Sequence, residues 1–246
     1  MALSILTFVL SVFLLAGFAK GVIGLGLPTI SMGLLAVVLS PVESAALLIL
    51  PSLVTNVWQM MDGPHLGALL RRLWPLNVGV CLGTWAGAAF LSGLGGPYGG
   101  PALGIALMVY AVSGLAALKL AVPAYAERWM GPFAGASTGA ITAATGVFVL
   151  PAVPYLQAIG LTKDELVQAL GLSFTVSTLA LAVTLAGSAS LTMGLAWPAI
   201  AGVAVALGGM RLGLAVRARL SPRTFRLWFF AGLLALGAYL AARGLA

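Results

Sequence analysis

Charged and chemically reactive residues are scarce in this sequence. Its 246 residues include 12 Lys and Arg, 5 Asp and Glu, one His and one Cys, and only 7% are charged. A soluble domain carries roughly 25% charged residues, so this composition excludes a water-soluble globular protein. The single Cys81 excludes an internal disulfide and any site built from several cysteines. The sequence shows no nucleophile–base pair and no metal-ligand cluster, so we expect neither an enzyme nor a cofactor.

Most of the sequence is apolar, since 61% of its residues are hydrophobic. Ten such runs follow one another, over residues 3–19, 27–39, 45–61, 73–91, 101–118, 132–141, 147–159, 166–186, 195–207 and 227–240. A helix needs about 20 residues to cross a bilayer, so the second, sixth and seventh runs are too short. The pattern predicts an all-α integral membrane protein.

An internal repeat divides the chain into two halves. Its matched segments are residues 17–23 with 135–141, 40–43 with 162–165, and 74–75 with 197–198. Proline and charge cluster between the halves at residues 122–128, as in a loop. We therefore predict a first repeat at 1–122 and a second at 123–246, each a Gly-rich broken helix or hairpin followed by three transmembrane helices. Together they form one membrane domain.

The positions of the basic residues discriminate between two topologies. If each broken segment crosses once, the basic residues divide almost evenly between the two sides. If each segment returns as a hairpin, all except Arg243 and the intramembrane Lys20 share one side, as the positive-inside rule requires. We therefore predict inverted repeats with the Arg-rich loops in the cytoplasm. Both termini and the neutral connections 93–100 and 187–190 would then lie outside.

Both hairpin tips are candidates for an anion site. The first is predicted at residues 21–28, where Gly24 and Gly26 permit a turn and Pro28 suits the first position of a new half-helix. The second is predicted at residues 142–146, where threonines could donate hydrogen bonds. Two helix N-termini that converge near the bilayer centre would attract an anion. The alternative is that these glycines serve only close helix packing.

Lys20 is the most informative single residue. A lysine at the centre of a membrane helix costs about 3 kcal/mol or more and usually faces a partner or a cavity. Its repeat counterpart is Thr138, so Lys20 could attract an anion while Thr138 donates a hydroxyl. The alternative is a lysine that extends to the membrane surface, since Lys20 follows an apolar run.

The helix after each hairpin carries polar residues inside apolar runs. Thr55 and Asn56 align with Ser177 and Thr178, and Pro51 aligns with Ser173. These side chains could bind oxyanion oxygens or could only bond neighbouring helices. With the hairpin residues, the predicted substrate-binding set is Lys20, Gly24, Gly26, Pro28, Asn56, Gln59, Thr138, Thr142, Thr145, Ser173 and Ser177.

Two glutamates follow the hairpins at predicted helix starts. Glu43 and Glu165 are expected to cap these helices, because a carboxylate complements the helix dipole there; a role as proton carrier is the alternative. The only histidine, His65, lies beside Asp62 in a predicted cytoplasmic loop and is expected to be inert.

These motifs together resemble the sulfite exporter TauE/SafE family of membrane permeases. In the first half they are Gly17-Phe18-x-x-Gly21-x-x-Gly24-x-Gly26-x-Pro28 and Ser40-Pro41-x-Glu43-Ser44-Ala45. In the second half they are the segment 135–151 and Leu161-Thr162-x-x-Glu165. The chain departs from the family's Gly-Gly-Gly run, which reads Gly26-Leu27-Pro28 in the first half and 142–146 in the second.

The resemblance implies a secondary transporter, and an exporter, of a small sulfur oxyanion such as sulfite or an organosulfonate. It also implies a multi-pass protein of the bacterial inner membrane. The anion would bind near the bilayer midplane between the repeats and would be exposed to each side alternately. An anion channel and a non-transporting membrane subunit or scaffold are the alternatives. The residues leave a homodimeric assembly open and indicate no nucleic-acid partner.

Overall fold

The computed structural model describes residues 3–90, 98–116, 120–187, 195–217, 219 and 221–245, and every regular element in this part of the chain is a helix. The helices are α1 (Leu3–Ile23), α2 (Leu27–Leu35), α3 (Pro41–Met61), α4 (Leu66–Phe90), α5 (Gly99–Ala116), α6 (Ala124–Thr145), α7 (Ala152–Ala158), α8 (Lys163–Gly187), α9 (Ala196–Val216) and α10 (Pro222–Leu245).

Six of the described helices are long and apolar enough to cross a membrane, namely α1, α3, α5, α8, α9 and α10. The prediction of an all-helical, multi-pass membrane protein is therefore confirmed. Lys119 and most of the predicted outer connections 93–100 and 187–190 lie outside the described residues.

The first broken segment consists of one long and one short helix. Helix α1 has 21 residues and at 1.5 Å per residue is about 30 Å long, close to the thickness of a bilayer core. Helix α2 has nine residues, too few to cross. Between them Gly24 and Gly26 have φ of 75° and 111°, which other residues rarely adopt. Pro28 lies in the first turn of α2, as predicted.

The second broken segment also consists of a long helix followed by a short one, but the turn between them differs. Helix α6 ends at Thr145 and is capped by Gly146, whose φ is 69°, and only seven residues form α7. The connection between them is apolar and buried, and Phe148 packs edge-on against Phe174 of α8 with ring centroids 5.3 Å apart. Helix α6 begins well before the apolar run 132–141, because its first turns are largely exposed and include the charged Glu127 and Arg128, which interrupt the apolar pattern.

The repeated glycines bring helix backbones together. A Cβ on Gly17 would lie 2.2 Å from the carbonyl oxygen of Ala206 in α9. A Cβ on its counterpart Gly135 would lie 2.0 Å from the carbonyl oxygen of Leu76 in α4. Hence α1 packs on α9 and α6 packs on α4 with backbones in direct contact. At the first hairpin tip, a Cβ on Gly21 would make a similar close contact, 2.2 Å from the Met210 carbonyl oxygen, whereas a Cβ on Gly24, in the turn, would meet nothing closer than 3.9 Å.

Helices α3 and α8 run antiparallel through the centre of the molecule. Near the end of α3, Met60 lies against Gly171 of α8, whereas Asn56, one turn earlier, meets Thr178 further along α8. Helices α5 and α10 are also antiparallel, since Gly104 contacts Ala241 and Gly114 contacts Phe230.

Both central helices begin with the same cap. The Ser40 hydroxyl accepts the backbone N–H of Glu43, and the Glu43 carboxylate accepts the N–H of Ser40. Thr162 and Glu165 make the same exchange at the start of α8. The capping role expected of the two glutamates is confirmed.

Candidate functional site

Lys20 lies in the last turn of α1, with its side chain directed into the protein. Only 2% of the residue is exposed. Its Nζ atom donates hydrogen bonds to Thr55 Oγ1, at 3.2 Å, and to Asn56 Oδ1. The side chain therefore ends among polar groups of α3 and does not extend to the surface. The last turn of a helix also favours a cation, because the helix dipole is negative there.

Asn56 joins this lysine to the other half of the chain. Its Oδ1 accepts from Lys20, and its Nδ2 donates to Thr178 Oγ1 of α8 at 3.4 Å. Lys20, Thr55, Asn56 and Thr178 are all buried. These four residues, here called the central cluster, connect α1, α3 and α8 inside the membrane region.

The lysine of the central cluster has no carboxylate partner among the described residues. The chain has 5 acidic residues, and the one ion pair within the described residues is Arg72 with Glu127, at 2.7 Å. Both acceptors of Lys20 are neutral oxygens. An ammonium has three N–H donors, and two of them are used here. The arrangement can therefore accept one anionic oxygen, which would supply the missing charge.

Gln59 lies one turn after Asn56 and ties the first hairpin tip to α8. Its Nε2 donates to the carbonyl oxygens of Gly24, at 3.2 Å, and Val167, at 2.8 Å. Its Oε1 is buried without a hydrogen-bond partner in the described part of the chain. Gly24 is thus held close to the start of α8, while Gly26 packs near Phe229 of α10.

The predicted serines of α8 differ in their bonding. Ser173 Oγ is buried and has no hydrogen-bond partner among the described residues, so it is an available donor. Ser177 Oγ donates to the carbonyl oxygen of Ser173 within the same helix. Thr175 likewise donates within α8, to Gly171.

The predicted threonines of the second hairpin bond within that hairpin. Thr138 Oγ1 accepts the N–H of Ala152, at 3.0 Å, and so holds the start of α7 against α6. Thr142 Oγ1 donates to the Thr138 carbonyl oxygen, and Thr145 Oγ1 accepts the N–H of Val147. This tip is a hydrogen-bonded turn with an apolar connection after it.

The first hairpin tip presents the start of α2. Pro28 is buried, and the next residue, Thr29, donates its hydroxyl to the Gly26 carbonyl oxygen at 3.1 Å.

Within the described residues, no group of three or more His, Cys, Asp or Glu side chains could hold a metal.

Two members of the central cluster were missing from the residues predicted to bind substrate. Thr55 and Thr178 belong to the matched pairs Thr55-Asn56 and Ser177-Thr178, so the repeat itself carried the signal. Thr55 and Asn56 both reach the cluster, whereas of Ser177 and Thr178 only Thr178 does. Which side chains reach it depends on helix rotation, which a nearly uniform apolar sequence does not reveal.

Comparison with known proteins identifies a family that the chain matches over most of its length. The model of the family described as "Sulfite exporter TauE/SafE" matches residues 9–240. No curated protein and no solved structure matches the chain.

Proposed function

The chain belongs to the sulfite exporter TauE/SafE family, and from this premise we propose that it carries a small sulfur oxyanion, such as sulfite or an organosulfonate, out of the cell. Members of the family are membrane transporters of sulfur anions and are not enzymes. The specific anion, the direction of transport and the mechanism are our proposal.

The observation that carries the proposal is the buried Lys20. A buried cation is stable only if it is paired and hydrogen-bonded, and the two acceptors of Lys20 supply bonds but no opposite charge. A bound oxyanion supplies that charge. A sulfur oxyanion also offers several acceptor oxygens, which suits a site with an ammonium, an amide and hydroxyls.

The proposed substrate site is the central cluster, with Gln59, Ser173 and the first hairpin tip at its edges. Ser173 supports this extent because its buried hydroxyl has no partner in the described part of the chain. The hydroxyls of Thr138, Thr142 and Thr145 would serve indirectly by fixing the second hairpin. Ser177 would serve indirectly too, within α8.

We further propose that residues 1–122 and 123–246 form inverted repeats. Equivalent helices α3 and α8 meet antiparallel, and so do α5 and α10. A two-fold axis that relates antiparallel neighbours is perpendicular to them, so it would lie in the membrane plane. The reciprocal pairing of α1 with α9 and of α6 with α4 supports the same relationship.

Alternating access follows from this arrangement. The central cluster takes residues from both proposed repeats, so rocking of one repeat against the other would open the anion to each side in turn. Asn56 and Thr178, whose atoms are 3.4 Å apart, are the contact that this motion would alter.

The proposed orientation places the Arg-rich loops in the cytoplasm of a bacterium and both termini in the periplasm. Residues expected on that side do lie near one another, since Arg72 pairs with Glu127 and also donates to the Ile159 carbonyl oxygen. The positive-inside rule supports this orientation of the loops, and export is what the family implies.

Counterflow in liposomes tests the proposed function. Purified protein would be reconstituted with internal sulfite, and uptake of radiolabelled external sulfite would be followed. We expect saturable uptake that depends on internal anion and is lost in Lys20→Met. Flux that does not saturate would indicate a channel instead of a carrier, and no flux with any sulfur anion would contradict the proposal and favour a non-transporting subunit.

A further inference from the structure

A cavity of about 760 Å³ opens beside the end of α1. Four basic residues line it: Lys163 at the start of α8, Arg217 after α9, and Arg223 and Arg226 at the start of α10. None of the described residues in its lining is acidic. The cavity also reaches Val22 in the last turn of α1, two residues after Lys20. It therefore forms a cationic chamber, separate from the central cluster but adjacent to it.

The remaining wall of this chamber is mainly apolar. Leu25, Val153 and Leu166 contribute to it, as does the edge-to-face pair of Tyr110 and Phe230, whose ring centroids are 5.2 Å apart. Sulfite has no apolar part that could use such a wall. An anion with a short hydrocarbon or aromatic tail could use both the cations and the wall, because burial of apolar surface is favourable.

Tyr110 supplies an independent sign of a ligand. The residue is 2% exposed, it lines the chamber, and its hydroxyl has no hydrogen-bond partner among the described residues. A buried hydroxyl without a partner is costly, so a bound acceptor oxygen would stabilise it.

We propose that this chamber is a second anion-binding site that selects sulfonates with an apolar tail, with the sulfonate on the basic residues and Tyr110 and the tail on the apolar wall. The proposal rests on the proposed transport function, of which the chamber would be the entrance on the Arg-rich side. Its four cations raise the local anion concentration, and that attraction weakens with salt over a Debye length of about 8–10 Å. An anionic lipid headgroup shares the same chemistry, and competition with phosphatidylglycerol distinguishes it from a free sulfonate.

Binding by purified protein in nanodiscs tests the site with three probes. Benzenesulfonate carries charge and tail, methanesulfonate lacks the tail, and benzenesulfonamide lacks the charge. We expect benzenesulfonate to bind at least about tenfold more tightly than either other probe, which corresponds to about 1.4 kcal/mol. Equal binding of benzenesulfonate and methanesulfonate would overturn the proposal.

Substitutions in the chamber wall test whether its basic residues and Tyr110 bind the sulfonate. In R223Q/R226Q the benzenesulfonate affinity should fall about tenfold or more and depend less steeply on salt, because two of the four cations remain, and Tyr110→Phe should produce a smaller loss. Arg219→Gln is the matched control, because Arg219 is exposed in the same connection but does not line the chamber. An equal loss in the control would overturn the proposal.

Two further binding measurements distinguish the chamber from the central cluster and from a lipid-binding site. Lys20→Met should abolish sulfite binding yet keep benzenesulfonate binding at the chamber, so failure of the transport proposal and failure of the chamber proposal give different results. Nanodiscs with and without phosphatidylglycerol should give the same benzenesulfonate affinity. Competition by phosphatidylglycerol would show that the chamber holds a lipid headgroup and would overturn the proposal.

Discussion

Lys20 of α1 donates a hydrogen bond to Asn56 of α3 deep inside the protein, and both acceptors of its ammonium are neutral. Membrane proteins usually balance an intramembrane cation with a carboxylate. Here the described residues place every acidic side chain elsewhere, with Glu43 and Glu165 in helix caps and Glu127 paired with Arg72. This is why we propose that the transported anion supplies the opposite charge.

Asn56→Asp should abolish anion binding. The substitution keeps the shape of the side chain but places a carboxylate against Lys20, so the protein would supply the charge that we assign to substrate. A buried charge with a partner is more stable than one without, so the melting temperature should be kept or raised. Thermal melts with and without sulfite measure both effects. Sulfite stabilisation equal to that of the wild type would contradict this assignment.

Thr178→Val and Ser177→Ala form a matched pair on neighbouring positions of α8. Thr178 reaches Asn56, whereas Ser177 bonds within its own helix. Loss of the Thr178 hydroxyl should weaken sulfite binding about tenfold, and loss of the Ser177 hydroxyl should change it little. The measurement is the sulfite concentration that half-saturates binding. The opposite order would move the site towards Ser177.

Gly209→Ala and Gly208→Ala test the packing of α1 on α9. A Cβ on Gly209 would lie 2.3 Å from the Leu14 carbonyl oxygen, whereas a Cβ on Gly208 would meet nothing within 4 Å. We expect Gly209→Ala to destabilise the protein by about 1–3 kcal/mol. Gly208→Ala should be neutral or stabilising by up to about 1 kcal/mol, because alanine favours helix. Denaturation in mixed detergent micelles compares them, and equal stabilities would show that the backbones do not touch.

Cysteine labelling tests the proposed orientation. With Cys81 replaced by alanine, single cysteines would be placed at Tyr98 and Arg219, which are both exposed. A membrane-impermeant thiol reagent should label position 98 in intact cells and position 219 only after the membrane is opened. The reverse pattern would show that the Arg-rich loops face outward and that the proposed orientation of the protein in the membrane is wrong.

The sequence could predict the elements that depend on local signals. Glycine and proline at 24–28 predicted the first turn, and the paired glutamates predicted two helix caps, because turn and cap chemistry is local. The start of α6 was missed, since Pro123 and the charged Glu127 and Arg128 resemble a loop, and so were the contacts of Thr55 and Thr178. Their contacts depend on how α3 and α8 rotate against each other, and a helix that is apolar on every face gives no periodic signal for that rotation.

Thermal stabilisation in detergent tests most directly whether Lys20 holds the transported anion. Wild-type protein and Lys20→Met would be melted with sulfite, sulfate, thiosulfate, taurine, sulfoacetate and a carboxylate as control. A ligand that binds only the native state raises the melting temperature by mass action. Methionine replaces the buried cation with an apolar side chain of similar length, so the variant should remain folded. We expect a sulfite or sulfoacetate shift in the wild type and none in Lys20→Met, and an equal shift in both proteins would contradict the account.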